Sequence, residues 1–110
     1  MLPLPERASL PDGRVGELAD LFRLLGDTTR LKIVLSCLSG PTSVNDIAGQ
    51  IDASPSLVSH HLRLLRGARI VRSERRGRQI FYSPRDAHIE CVIADMVSHV
   101  NEPTELDEEV

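Results

Sequence analysis

Apolar residues recur at three- and four-residue spacing in five stretches of this chain, and each such stretch predicts a helix with one buried face. Val15, Leu18, Phe22 and Leu25 mark the first, over roughly 15–25, with the spacing of a helix that packs on another helix. Asp27 is a good N-cap for a second at about 28–39, with Leu31, Val34, Leu35 and Leu38 on its apolar side and Gly40-Pro41 as its stop. Ser43, with Asp46 three residues on, opens a short third helix whose buried side is Val44, Ile47, Ala48 and Ile51. Ser54-Pro55 opens a fourth, to about Arg66, with Gly67 as its stop and Val58, Leu62 and Leu65 toward the core. The fifth covers 86–102, along Ile89, Val92, Ile93, Met96 and Val100. Between the last two, the pattern changes to β-rich runs at Ile70–Glu74 and Gln79–Ser83, joined through Arg75-Arg76-Gly77-Arg78 and closed by Pro84. The fold class expected is mainly α with a small β-hairpin.

Two short helices joined by Asp52-Ala53, the second apolar beneath and polar on top, form a helix-turn-helix pattern. Ser54, Ser56, Ser59, His60 and Arg63 bring hydrogen-bonding groups to the start and outer side of that second helix, as a helix in a major groove requires. His61, about 100° round from His60, should pack at the edge of the core. Arg75, Arg76 and Arg78 at a hairpin tip are poorly explained by folding; they fit a wing on the phosphate backbone or in the minor groove.

Charge sharpens this picture. The net charge of −3 hides eight arginines against one acid, Glu74, between His60 and Arg85, and five acids with no base from Glu102 onward. Arginine binds phosphate better than lysine does, whereas the acidic end reads as a disordered, solubilising tail. The organisation expected is an irregular arm at 1–14, one DNA-binding and dimerisation domain at 15–102, and a tail at 103–110. No run reaches membrane-spanning length and the start lacks a signal peptide's pattern, so a cytoplasmic location is expected. Cys37 and Cys91 lack C-x-x-C spacing; both are expected to be small buried hydrophobes. No nucleophile–base pairing or Gly-rich phosphate loop speaks for an enzyme or a small-molecule substrate.

The fifth helix carries metal-ligating side chains at both ends: Asp86 and His88 at the start, His99 and Glu102 at the finish. His88 and His99 are separated by about three full turns of helix, so both leave the same side of it. They are also about 16 Å apart along its axis, too far for one ion to touch both. Two antiparallel copies side by side would place the start of each beside the end of the other. That makes two intersubunit sites per homodimer, each drawing Asp86 and His88 from one chain and His99 and Glu102 from its partner. Asp86 and His88 converge only if Asp86 sits at the helix cap, where the backbone is not yet helical.

The stretches LADLFRLLGDTTRLKIVLSCLSG, ASPSLVSHHLRLLRGARIV and RSERRGRQIFYS, with the D-x-H … H-x-x-E helix, resemble the ArsR/SmtB family of metal-sensing bacterial repressors from Leu18 to Glu102. The resemblance implies a winged helix-turn-helix homodimer, with the first and last helices at its interface. It also implies binding to an inverted-repeat operator, relieved by metal. The family's cysteine site near the third helix is absent, since Ser43-Val44-Asn45 stands there; its last-helix site is matched by Asp86, His88, His99 and Glu102. Two imidazoles and two carboxylates suit Zn(II), with Co(II) a surrogate. Ni(II) prefers more ligands, and the arm offers no histidine, although the acidic tail offers oxygen ligands for a larger shell. The rival readings are a repressor of the same fold that senses Ni or Co, Cys91 oxidation or a small molecule, and a winged-helix protein-interaction module without DNA.

Overall fold

The computed structural model of the chain describes residues 9–103. Its elements in order are α1 (Asp12–Leu25), α2 (Thr28–Ser36), β1 (Thr42–Ser43), α3 (Val44–Ile51), α4 (Pro55–Gly67), β2 (Val71–Arg76), β3 (Gln79–Pro84) and α5 (Ala87–Asn101). This is a winged helix-turn-helix. α1 starts at Asp12, inside the stretch expected to be an irregular arm, because Pro11 ends the extended segment and its carbonyl accepts the Arg14 and Val15 N–H groups. The rest of that arm (1–8) and most of the acidic tail (104–110) lie outside the described residues.

Side-chain caps set the helix starts. Asp27 accepts the Arg30 N–H at 3.0 Å, Ser43 the Asp46 N–H at 3.2 Å and Ser54 the Leu57 N–H at 3.1 Å. Each satisfies one amide that the first turn leaves unbonded, which typically stabilises a helix by about 1 kcal/mol. α2 is shorter than its apolar pattern suggests and ends at Ser36. α4 ends at Gly67, as expected, and Arg69, with φ +63°, turns the chain just beyond it.

The sheet has three strands rather than two, antiparallel in the order β1-β3-β2. Thr42 pairs with Tyr82 and Ser43 with Phe81, so the two-residue β1 fastens the start of α3 to the wing. In the hairpin, Arg75 faces Ile80 and Arg76 faces Gln79. The turn is Gly77-Arg78, with Gly77 at φ +64°, the positive φ that a tight two-residue hairpin needs.

The core lies where α2, α3 and α4 meet the base of the sheet. Ile33, Val34, Ile47, Val58, Leu62 and Leu65 are fully buried there, with Cys37, Ile70 and Val71. α5 adds only Ile93, and α1 adds no buried residue, although Leu21, Leu24 and Leu25 pack on the core in part. No helix among the described residues is long and apolar enough to cross a membrane.

Candidate DNA-binding surface and metal ligands

The polar face of α4 is built by its apolar one. With Val58, Leu62 and Leu65 held in the core, the step of about 100° per residue turns Ser56, Ser59 and Arg63 to one side and His60 further round. All four are exposed. Asp52, at φ +56°, makes the tight turn from α3 and donates its N–H to the Ala48 carbonyl. Ser54 spends an acceptor lone pair on its cap, and its hydroxyl proton stays free to donate.

Beside this face is a cleft of about 470 Å³ between α4 and the wing, lined by Ser59, Arg63, Arg66, Gly67 and Tyr82. Sequence reasoning missed Arg66 and Tyr82. Arg66 is one turn on from Arg63, a visible signal; Tyr82 reaches the cleft only because β3 pairs with β2, and no local pattern shows that.

The wing arginines differ among themselves. Arg75, Arg76 and Arg78 are all exposed, but Arg76 is tied into the hairpin. Its guanidinium bonds the Glu74 carboxylate at 3.1 Å and stands 5.2 Å from the centre of the Phe81 ring. Alternation along the strand puts Arg76 on the face of Glu74 and of Glu74's cross-strand partner Phe81. Folding therefore gives Arg76 a role of its own, contrary to the sequence expectation.

At the start of α5, Asp86 is the N-cap, with φ −159° and ψ 179°, and its carboxylate accepts the Ile89 N–H at 3.1 Å. The second carboxylate oxygen makes no protein hydrogen bond among the described residues. Asp86 and His88 open into one cleft, together with Glu17 and Asp20 of α1 and Arg69 at the exit of α4. At the other end, Glu102 is the C-cap; its N–H bonds the His99 carbonyl at 3.2 Å before the chain turns extended. His88, His99, Asp86 and Glu102 are exposed. Among the described residues of a single chain, no three His, Cys, Asp or Glu side chains come close enough to share a metal ion.

The two cysteines diverge. Cys37 is buried, with its thiol directed at the Val34 carbonyl, and burial pushes its pKa up to about 11, so it stays a thiol. Cys91 is exposed, against expectation. It lies two residues before Ile93, a rotation of about 200°, which puts it on the side of α5 away from the core.

Residues 27–73 match the family model described as bacterial regulatory protein, arsR family. The chain is 39% identical over 88 residues to the HTH-type transcriptional regulator KmtR of Mycobacterium tuberculosis, a match covering 80% of this chain and 68% of that one. The solved structure of the cadmium metal-sensor CMTR from Mycobacterium tuberculosis superposes with a TM-score of 0.65 at 32% identity, covering 78% of this chain and 95% of the other. A homodimeric winged helix-turn-helix DNA-binding domain from Mycobacterium bovis, Mb0332, superposes with a TM-score of 0.77 at 20% identity, covering 86% and 91%, a likeness of fold. The chain belongs to the ArsR family of bacterial regulatory proteins, which are DNA-binding transcriptional regulators and not enzymes.

Proposed function

We propose that this protein is a metal-responsive repressor that binds an inverted-repeat operator as a homodimer and is released when Zn(II) binds between the subunits. The observation that carries the proposal is α5 itself. It holds Asp86 and His88 at one end and His99 and Glu102 at the other, along a helix whose apolar face is largely uncovered. Val92, Met96 and Val100 are exposed on α5, as are Val15, Leu18 and Phe22 on α1; Phe22 is 60% and Val100 76% exposed. A second copy of the same faces, related by a twofold axis, would cover them.

In that dimer Asp86 and His88 of one chain and His99 and Glu102 of the other would hold the metal. The extended backbone of Asp86 suits it to turn toward His88, and its free carboxylate oxygen is an available ligand. What the metal supplies when bound is a tetrahedral set of bonds joining the two α5 helices. Asp86 and His88 open into the same cleft as Arg69, so a metal bound there would act beside the backbone that ends α4. The two α4 helices, set by the angle between the subunits, would then no longer match the half-site spacing. For release, the free dimer must bind metal more tightly than the DNA-bound dimer does, typically by about 1–3 kcal/mol of coupling. On the DNA, Ser54, Ser56, Ser59, His60 and Arg63 would face the major groove, and Arg75, Arg76 and Arg78 the flanking backbone. The regulated genes would serve metal efflux or sequestration.

His99→Ala should bind operator with wild-type affinity and lose its release by Zn(II), read by fluorescence anisotropy of a labelled duplex. Release of that variant by the same Zn(II) concentration would rule out the ligand assignment. Co(II) absorption of the wild-type dimer, showing the intense visible bands of a tetrahedral site, separates this coordination from an octahedral one.

A further inference from the structure

α4 is held to the rest of the protein by one apolar stripe, and burial of such a stripe is non-directional. It sets the roll of the helix about its own axis coarsely and leaves the finer setting to a directional constraint. A side-chain bond on one flank of α4 supplies that constraint. Arg30 of α2 donates from Nε to His61 Nδ1 at 3.2 Å and from a terminal nitrogen to the Leu24 carbonyl at 3.4 Å. Leu24 lies in the last turn of α1, where carbonyls have no partner within the helix. Arg30 is itself fixed from below, since its own N–H bonds the Asp27 carboxylate at 3.0 Å. One guanidinium thus joins α1, α2 and α4.

His61 stands about 200° from Arg63 on α4, on the flank away from the polar face. We propose that Arg30 is a positioning residue for DNA binding: by bonding His61 it sets the roll of α4, and so the direction in which Ser56, Ser59 and Arg63 leave it. The bond also fixes the chemistry of His61. Arginine can only donate, so Nδ1 must carry a lone pair and the ring proton must sit on Nε2. A doubly protonated imidazole has no acceptor and places a second cation against Arg30. The charged groups facing His61 are Arg30 and Asp27, and the His60 ring stands edge-on at 5.5 Å between centroids on its own helix.

The proposal rests on the DNA-binding reading above, and its test carries a readout that needs no DNA. Duplex affinity is measured by anisotropy at pH 8 on an operator selected from random duplexes by the wild-type protein. His61→Ala should bind about tenfold more weakly at pH 8, the scale of one lost charge-assisted bond. His61→Asn places an amide oxygen near the Nδ1 position and does not titrate, so it should bind as wild type does at pH 8. Without DNA, the Arg30 Nε–H resonance should stay close to its wild-type position in His61→Asn and be displaced in His61→Ala. Equal affinity of wild type and His61→Ala, equal loss in the Asn and Ala variants, or an Arg30 resonance indifferent to all of these would overturn the proposal. Failure of the wild type to bind any duplex would overturn the DNA-binding reading, and the proposal with it.

Discussion

The helices α2, α3 and α4 and the helix pair α1 and α5 both carry apolar stripes but put them to different use. In the first group the stripes meet one another: Ile33, Val34, Ile47, Val58, Leu62 and Leu65 are fully buried within one chain. In the second, Ile93 is the one buried residue, and Val15, Phe22, Val92, Met96 and Val100 face outward. A stripe states that a face will be covered without stating by which chain. The contrast divides the molecule into a part that a single copy completes and a part whose apolar faces one copy leaves uncovered.

That division predicts opposite responses to two substitutions. Leu62→Ala should cost about 2–5 kcal/mol of stability by leaving a cavity among residues that cannot close around it, measured by urea unfolding. Met96→Glu should leave the far-UV circular dichroism of α2, α3 and α4 unchanged while shifting sedimentation from dimer toward monomer and weakening binding to a two-half-site operator. Loss of secondary structure in Met96→Glu, or a dimer that persists, would show that the face is completed in some other way.

The part completed by one chain is the more legible in its sequence. Ser43, Ser54 and Asp27 are caps because the local sequence already contains everything a cap needs, a short oxygen-bearing side chain before an apolar-periodic run. The features missed depend on distant pairings. β1 is two residues long, with no periodicity to read, and exists because Tyr82 and Phe81 lie opposite it. Gly67 ends α4 as residue type suggests, but the left-handed turn comes two residues later, at Arg69. The bond between Arg30 and His61 spans 31 residues and has no local signature. Spacing on α5 singles out Asp86, His88, His99 and Glu102, but a single chain keeps the two pairs at opposite ends of the helix. Cys91 is exposed where the sequence suggests burial, since a helical pattern shows which residues share a side and not how wide the covered side is.

The wing allows a finer test, within a single hairpin. Arg76 is engaged by Glu74 and Phe81, whereas Arg78 occupies the turn with no side-chain partner among the described residues. An arginine that neutralises a phosphate contributes close to one unit to the slope of log affinity against log salt. Arg78→Ala should therefore lower that slope by about one. Arg76→Ala should lower it by less and should cost some hairpin stability instead, since Arg76 spends part of its charge on Glu74. Equal slopes for the two variants would show that the Glu74 pairing breaks on binding.

The smallest effect concerns Asp27, in the part that one chain completes. The Arg30 N–H bonded to its carboxylate lowers its pKa from the ordinary value of 3.8, aided by the nearby charge of Arg30, although desolvation opposes the shift. A folded-state pKa below the unfolded one means that the carboxylate stabilises the fold at pH values above about 4. That contribution is lost as pH falls through the depressed value, because the protonated acid is a weaker acceptor for the Arg30 N–H. Asp27→Asn keeps an oxygen at the cap and cannot titrate there. Its melting temperature at pH 7 should lie slightly below that of the wild type, and the difference should close as the pH is lowered below about 4. A difference that stays constant with pH would mean that the cap works through its shape alone. The charge on Asp27 would then contribute nothing to holding Arg30 beneath α4.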